Sequence, residues 1–195
     1  NLTVFEGLAS FVVYHTVIVG DQVLKADKVF VNVGGRPVVP EGYETVNVLT
    51  NVEMMELDFV PEHLIVVGGS YIGMEFGQIY RRFGSKVTII EKGDRLVKRE
   101  DPDVSDGLKE ILENEGIEFR FEATCLSAKM EGSMVVADVD CKTGERRVEG
   151  SHLLLAVGRK PNTDDLGLEN TDIKLNERGY VLVDDELKTN VSGIW

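Results

Sequence analysis

Residues 64–91 read Leu64-Ile-Val-Val-Gly68-Gly69-Ser70-Tyr71-Ile72-Gly73-Met-Glu75-Phe-Gly-Gln-Ile-Tyr-Arg-Arg-Phe-Gly84-Ser-Lys86-Val-Thr-Ile-Ile-Glu91, and this stretch decides the fold. Leu64–Val67 is a short apolar run without alternation, the pattern of a parallel strand covered on both faces. It feeds into a glycine turn. Ile72, Phe76, Ile79, Tyr80 and Phe83 then fall at helical spacing, Arg81 and Arg82 place positive charge in the last turn, and Gly84 stands where a C-terminal cap belongs. Lys86–Ile90 forms the next strand and Glu91 ends it. Strand, turn, helix and strand make one supersecondary unit of about thirty residues.

The turn carries chemistry. Gly68 suits a tight bend, Gly73 suits a helix packed close to its strand, and the helix N-terminus offers free N–H groups and a positive dipole to a pyrophosphate. Ser70 occupies the middle position, where glycine is usual. Its β-carbon stands where backbone approaches phosphate, its hydroxyl is a donor to that phosphate, and the plain alternative is that serine simply fits the turn. Glu91, at the end of the second strand, is placed to accept hydrogen bonds from both hydroxyls of an adenosine ribose, which favours NAD(H) over NADP(H). Lys92 and Arg95 point the other way, because cations suit a 2'-phosphate.

Downstream, Asp101 and Pro102 open a second helix with Val104, Leu108, Ile111 and Leu112 as its buried stripe. Ile117–Phe121 is a third parallel strand. Short β runs at 124–130, 134–140 and 146–149, separated by Glu131-Gly132-Ser133 and Thr143-Gly144-Glu145, form an antiparallel meander, and Leu153–Gly158 closes the sheet. Upstream, β runs at 3–6, 11–19 and 23–33 form another meander, ending in a buried strand. Val29–Pro37 and Leu153–Pro161 share an apolar strand, a Val-Gly, an Arg and a Pro in the same order. The repeat predicts two related nucleotide-binding domains, the second whole and the first present as its last third. The expected fold is α/β, a Rossmann-like parallel sheet with helices and a meander, with divisions at 1–45, 46–160 and 161–195.

Composition narrows the function. At 195 residues, 43% apolar and 28% charged, the chain has enough apolar surface for a real core. A net charge of −13 with dispersed basic residues disfavours nucleic acid. With no long apolar span and no leader-like opening, no membrane partner is expected and the cytoplasm is the expected compartment. Cys125 and Cys141 lie outside redox or metal spacing, and His15, His63 and His152 stand isolated, so no metal site is expected. Asn1 and Trp195 both read as cut ends, so the chain is expected to be a fragment.

The segments LIVVGGSYIGMEFGQIYRRFGSKVTIIEKGDRLVKRED (64–101), LLLAVGRKPNT (153–163) and VSGIW (191–195) resemble the pyridine nucleotide-disulfide oxidoreductases, the family of dihydrolipoamide dehydrogenase, glutathione reductase and mercuric reductase. Ser70 and Arg99-Glu100-Asp101 lean toward the mercuric reductase side. The resemblance implies that residues 1–45 end an FAD-binding domain and 161–195 begin its return. It implies NAD(H) contacts at Gly68, Gly69, Ser70, Tyr71, Ile72, Gly73 and Glu91. Glu75 would support the nicotinamide end through a lysine of the flavin domain, Cys125 would touch the adenine, and Gly158 would approach the nicotinamide half. Ala9, Val33, Gly34 and Gly35 match FAD contacts, with Val33 lacking the hydroxyl of the usual threonine. The family's FAD fingerprint, C-x4-C pair, ribityl-binding aspartate and C-terminal acid-base pair do not occur in these residues. The expected partners are therefore a dinucleotide and the rest of the polypeptide, in a full-length homodimer that passes hydride to FAD and onward to a disulfide or metal ion. No catalytic residue is expected within the chain, which alone is expected to be inactive. A non-catalytic dinucleotide sensor, or an interaction module with a purely structural turn, is the alternative.

Overall fold

The computed structural model describes residues 2–141 and 145–195. The chain forms two compact units, one running to Arg36 and resuming over Arg159–Trp195, the other spanning Pro37–Gly158. The sequence places the first division at 45. The second unit starts sooner, and Tyr43, which precedes that division, is buried in its core.

In the first unit, β1 (Ala9–Val13), β2 (Thr16–Val19) and β3 (Gln22–Lys25) form an antiparallel meander. The expected continuous run over 11–19 is in fact a hairpin, turned at Tyr14-His15 with His15 at φ 57°. No glycine or proline marks that turn. Residues 3–6 form no strand. The run at 28–33, expected as a buried strand, makes only an isolated parallel bridge between Val29 and Ile194. Val29 N–H donates to Gly193 O (2.9 Å) and Trp195 N–H to Val29 O (2.9 Å). Val29 and Val31 pack inward with Phe11 and Ile194, while Phe30 is exposed and stacks on Trp195. The unit is completed by β4 (Gly35–Pro37), which pairs with the strand at Arg159–Pro161, so the two copies of the repeated Arg-Pro element lie side by side.

The second unit holds α1 (Asn51–Glu56), β5 (His63–Val67), α2 (Tyr71–Phe83), β6 (Lys86–Ile90), α3 (Pro102–Asn114) and β7 (Glu118–Arg120). These are followed by β8 (Ala123–Glu131), β9 (Met134–Cys141), β10 (Arg147–Gly150) and β11 (His152–Leu155), and the strand at Arg159–Pro161 is β12. β11-β5-β6-β7 form a parallel sheet, with His63 opposite Lys86 and Val67 opposite Ile90. β8, β9 and β10 form the antiparallel meander, its first turn at Gly132; residues 143–144 of its expected second turn lie outside the described residues. The sheet is buried on both faces, as the unalternating apolar runs require. Ile65, Val67, Ile90, Leu153 and Leu155 meet Ala128, Val135, Ala137 and Val148 of the meander, while Leu64, Val66, Val87, Ile89 and Leu154 meet Met74, Tyr80 and Leu112 of the helices.

The helical faces are rotated from expectation. α2 buries Gly73, Met74, Gly77 and Tyr80, and leaves Ile79 and Phe83 exposed. Its glycines let the helix sit close to the sheet, since a Cβ on Gly77 would stand 3.1 Å from Ile89 Cδ1. α3 exposes Val104 and Ile111 and buries Leu112 with Ser105, whose hydroxyl donates to Leu96 O at 2.7 Å. Asp101 holds the N-cap position of α3, but its side chain makes no capping bond. Among the described residues, no helix is long and apolar enough to cross a membrane.

α1 was not anticipated, although its capping box is in the sequence. Thr50 Oγ1 accepts from Val52 N–H (3.2 Å), and Glu53 reaches back to Thr50 N–H (2.7 Å). For a helix of 6 residues the cap is a large share of its support. Thr50→Ala is expected to destabilise this unit by about 1 kcal/mol. Urea melts would show it as a lower midpoint at unchanged slope, and an unchanged midpoint would contradict it.

Candidate functional site: a dinucleotide pocket

The glycine turn is shaped by what it cannot accommodate. Gly68 has φ 111°, and a Cβ there would lie 2.5 Å from Ala156 O. A Cβ on Gly73 would lie 1.9 Å from Gly68 O. The turn therefore closes only with glycine at both positions, and it leaves a tight cradle in front of the N-terminus of α2. Ser70 is the N-cap of this 13-residue helix, yet its side chain makes no capping bond and is exposed. The serine hydroxyl is thus exposed at the pocket and not committed to the cap. Tyr71 opens the helix, with its hydroxyl donating to Glu100, and Ile72 is partly buried behind it.

Glu91 is pinned. Its Oε2 accepts from Gly69 N–H at 2.6 Å and its Oε1 from Gly93 N–H at 2.6 Å. Each carboxylate oxygen keeps further acceptor capacity, so this clamp fixes the group without exhausting it. Glu91 and the turn border one pocket of about 160 Å³, lined also by Tyr71, Arg95, Val97, Lys98 and Arg99. Lys92 is exposed and not part of the lining.

Lys98 and Arg99 were missed as pocket residues. They are brought in because Val97 turns the chain back with φ 37°, its N–H donating to Gly69 O at 3.1 Å. A buried β-branched residue in that region is an outlier that no sequence pattern announces. The Arg95 Nε is buried with no hydrogen-bond partner, although its other end donates to Lys98 O at 3.3 Å.

The other expected contacts are more dispersed. Cys125 lies on β8, whose first residue joins the site through Ala123 N–H to Glu91 O at 3.0 Å. Its carbonyl already accepts from Tyr43 OH (3.0 Å), and burial raises its thiol above the usual range. Glu75 is exposed and borders a groove of about 290 Å³ with Tyr71 and Met74 of α2 and Leu108 and Ile111 of α3. Gly158 is exposed beyond β11, its carbonyl accepting from Val38 N–H at 3.1 Å. Neither Glu75 nor Gly158 lines the Glu91 pocket.

In the first unit, Ala9 and Val33 border an apolar cavity of about 500 Å³ with Phe11, Val17, Val29 and Val31. Gly34 and Gly35 are not part of its lining. Gly35 has a packing reason instead, because a Cβ there would lie 2.9 Å from Lys160 O across the β4–β12 pair. Gly34 O accepts from Asn162 N–H at 3.1 Å.

Known proteins are similar to this chain in sequence and in fold. Residues 2–195 match the family described as pyridine nucleotide-disulphide oxidoreductase. A mercuric reductase from Streptomyces lividans is 36% identical over 178 residues, covering 90% of this chain and 37% of the relative. A dihydrolipoyl dehydrogenase from Staphylococcus aureus is 32% identical over 200 residues, covering 100% of this chain and 43% of the relative. Among solved structures, the HOCl-induced flavoprotein disulfide reductase RclA from Escherichia coli superposes with a TM-score of 0.86 at 34% identity, over 97% of this chain and 43% of that one. The chain thus spans less than half the length of these relatives. On the family match along nearly all of its length, and on a fold shared with a flavoprotein disulfide reductase, this chain belongs to the pyridine nucleotide-disulphide oxidoreductase family.

Proposed function

We propose that the chain is the NAD(H)-binding portion of an FAD-dependent oxidoreductase, in which it positions the nicotinamide for hydride transfer to flavin and onward to a disulfide or metal ion. The observation that carries the reading is the pinned Glu91 carboxylate beside a turn that has no room for a Cβ at Gly68 or Gly73. In that cradle the N-terminal amides of α2 and the Ser70 hydroxyl donate to a pyrophosphate, and the helix dipole favours its charge. Glu91 accepts from the ribose hydroxyls of the adenosine half. Glu75 and Gly158 serve the nicotinamide half, Cys125 the adenine, and Ala9, Val33, Gly34 and Gly35 the FAD of the full protein. When bound, the two cofactors supply the redox chemistry; these residues supply orientation. The chain by itself is proposed to be inactive and the full protein to work as a homodimer.

A second reading, NADP(H), is favoured by one specific observation: Arg95 has a buried, unpartnered Nε in the same pocket as Lys98 and Arg99. The two readings differ in sign. A 2'-phosphate about 4 Å from Glu91 is repelled by up to about 4 kcal/mol at an effective dielectric of 20, before screening. A third of that is about tenfold in affinity. The phosphate also removes a ribose hydroxyl that would donate to Glu91. NADH is therefore expected to bind about tenfold more tightly than NADPH in titration calorimetry at low salt. Glu91→Ala should narrow that ratio and Arg95→Gln should widen it. Equal affinities, or a preference for NADPH, would replace the first reading with the second.

A further inference from the structure

β5, β6 and β7 begin at His63, Lys86 and Glu118, so these residues sit at the end of the parallel sheet opposite the Gly68 turn and Glu91, which follow strand ends. With Thr88, Arg120 and Arg147 they border a separate polar cavity of about 310 Å³. Most of its charge is matched internally. Lys86 Nζ lies 3.3 Å from Glu118 Oε1, and His63 Nε2 lies 2.9 Å from Thr88 Oγ1. Arg147 pairs with Glu131 at 2.6 Å and with Glu149, also on the cavity, at 2.7 Å. Glu145, which borders the cavity too, is itself partnered. Burial and the charge of Lys86 push His63 below its usual range, so the imidazole adds no positive charge at neutral pH.

Arg120 is the exception. Its Nε is buried without a hydrogen-bond partner, and among the described residues no carboxylate pairs with its guanidinium. A guanidinium cannot relieve that situation by losing a proton, unlike a buried lysine. Arg120 as a whole is half-buried, so water can serve the Nε donor, whereas an anion would meet both that donor and the charge. The planar fork of arginine suits an oxyanion best. The cavity exceeds the roughly 30 Å³ share of a water molecule about tenfold, which leaves room for such an ion. The geometry points to a binding site for a small oxyanion of phosphate size in this cavity, anchored by Arg120 and flanked by Lys86. It stands independently of the dinucleotide pocket.

The test is amide-resolved NMR of the whole chain titrated with inorganic phosphate at constant ionic strength, with chloride as the control ion. Saturable shifts are expected at Thr88 and over Glu118–Arg120, and their loss in Arg120→Gln. Shifts at Ser70–Gly73 would report phosphate at the glycine turn and bear on the other site only. The inference is overturned if phosphate and chloride act alike at the cavity, or if the cavity shifts persist in Arg120→Gln. Should that variant fail to fold, Lys86→Gln decides the matter. It is expected to weaken phosphate binding about two- to fivefold by removing the flanking charge, and unchanged affinity would count against the site.

Discussion

Gly73→Ala is expected to cost at least about 3 kcal/mol, beyond the common range for one extra methyl in a packed interior. The reason is the identity of the obstacle. The new Cβ would stand 1.9 Å from the carbonyl oxygen of Gly68, and that carbonyl belongs to a turn already held at φ 111° against Ala156. Backbone on both sides leaves nothing to rotate away, so α2 must lift from β5 or the turn must open. Either movement also disperses the amides at the helix N-terminus, so NADH affinity should fall together with stability. Gly77→Ala is the control on the same helix. Its Cβ would meet only the tip of the Ile89 side chain at 3.1 Å, which can give, and alanine favours helix by about 1 kcal/mol. For a protein of this size the melting temperature of Gly73→Ala should drop roughly 6–12 °C. A melting temperature within about 2 °C of the parent would show that the turn is not closed in this way.

Leu64→Ala is the second large effect, and it acts from the other side of the same joint. Leu64 is fully buried on β5 and packs in the cluster that joins the sheet to Met54 of α1 and to Met74 and Tyr80 of α2. Removing it leaves a cavity walled by the rest of that cluster. The expected cost is about 2–5 kcal/mol, according to how far those walls collapse. Ellipticity at 222 nm is the right observable, because the three α-helices among the described residues lie in this unit. A cost below about 1 kcal/mol would mean that the helices are held mainly by other contacts.

The parts of this fold that were legible in the sequence share a cause. Leu64–Val67 and Leu153–Leu155 are apolar without alternation because the sheet is covered on both faces, and Gly68, Gly73 and Gly84 mark places where a side chain would collide or a helix must stop. Such constraints act on single residues, so they can be read from single residues. The hairpin at Tyr14-His15 was hidden because its left-handed residue is a histidine. The helical faces were misjudged because α2 approaches the sheet on glycines, which carry no hydrophobic signal, and α3 buries Ser105 through a hydrogen bond to Leu96. In the candidate site the turn and Glu91 were plain from spacing. Arg95 had been noted, but the convergence of Lys98 and Arg99 depends on the backbone of Val97, and the isolation of Arg120 depends on which carboxylates others have taken.

The division of the chain also dictates an order of assembly. Residues up to Arg36 and residues from Arg159 onward form one unit, yet a ribosome delivers everything from Pro37 to Gly158 between them. Were that stretch a loose coil, joining its two flanks would cost about 4 kcal/mol in closure entropy. It is instead a folded body whose own ends are fastened together, Val38 N–H to Gly158 O at 3.1 Å. Once it has folded, the two flanks are delivered to one another as though joined by a linker of a few residues. The unit inserted in the sequence thus sets how readily the two flanks meet, and damage to its sheet is expected to slow that closure while every contact within the other unit stays the same.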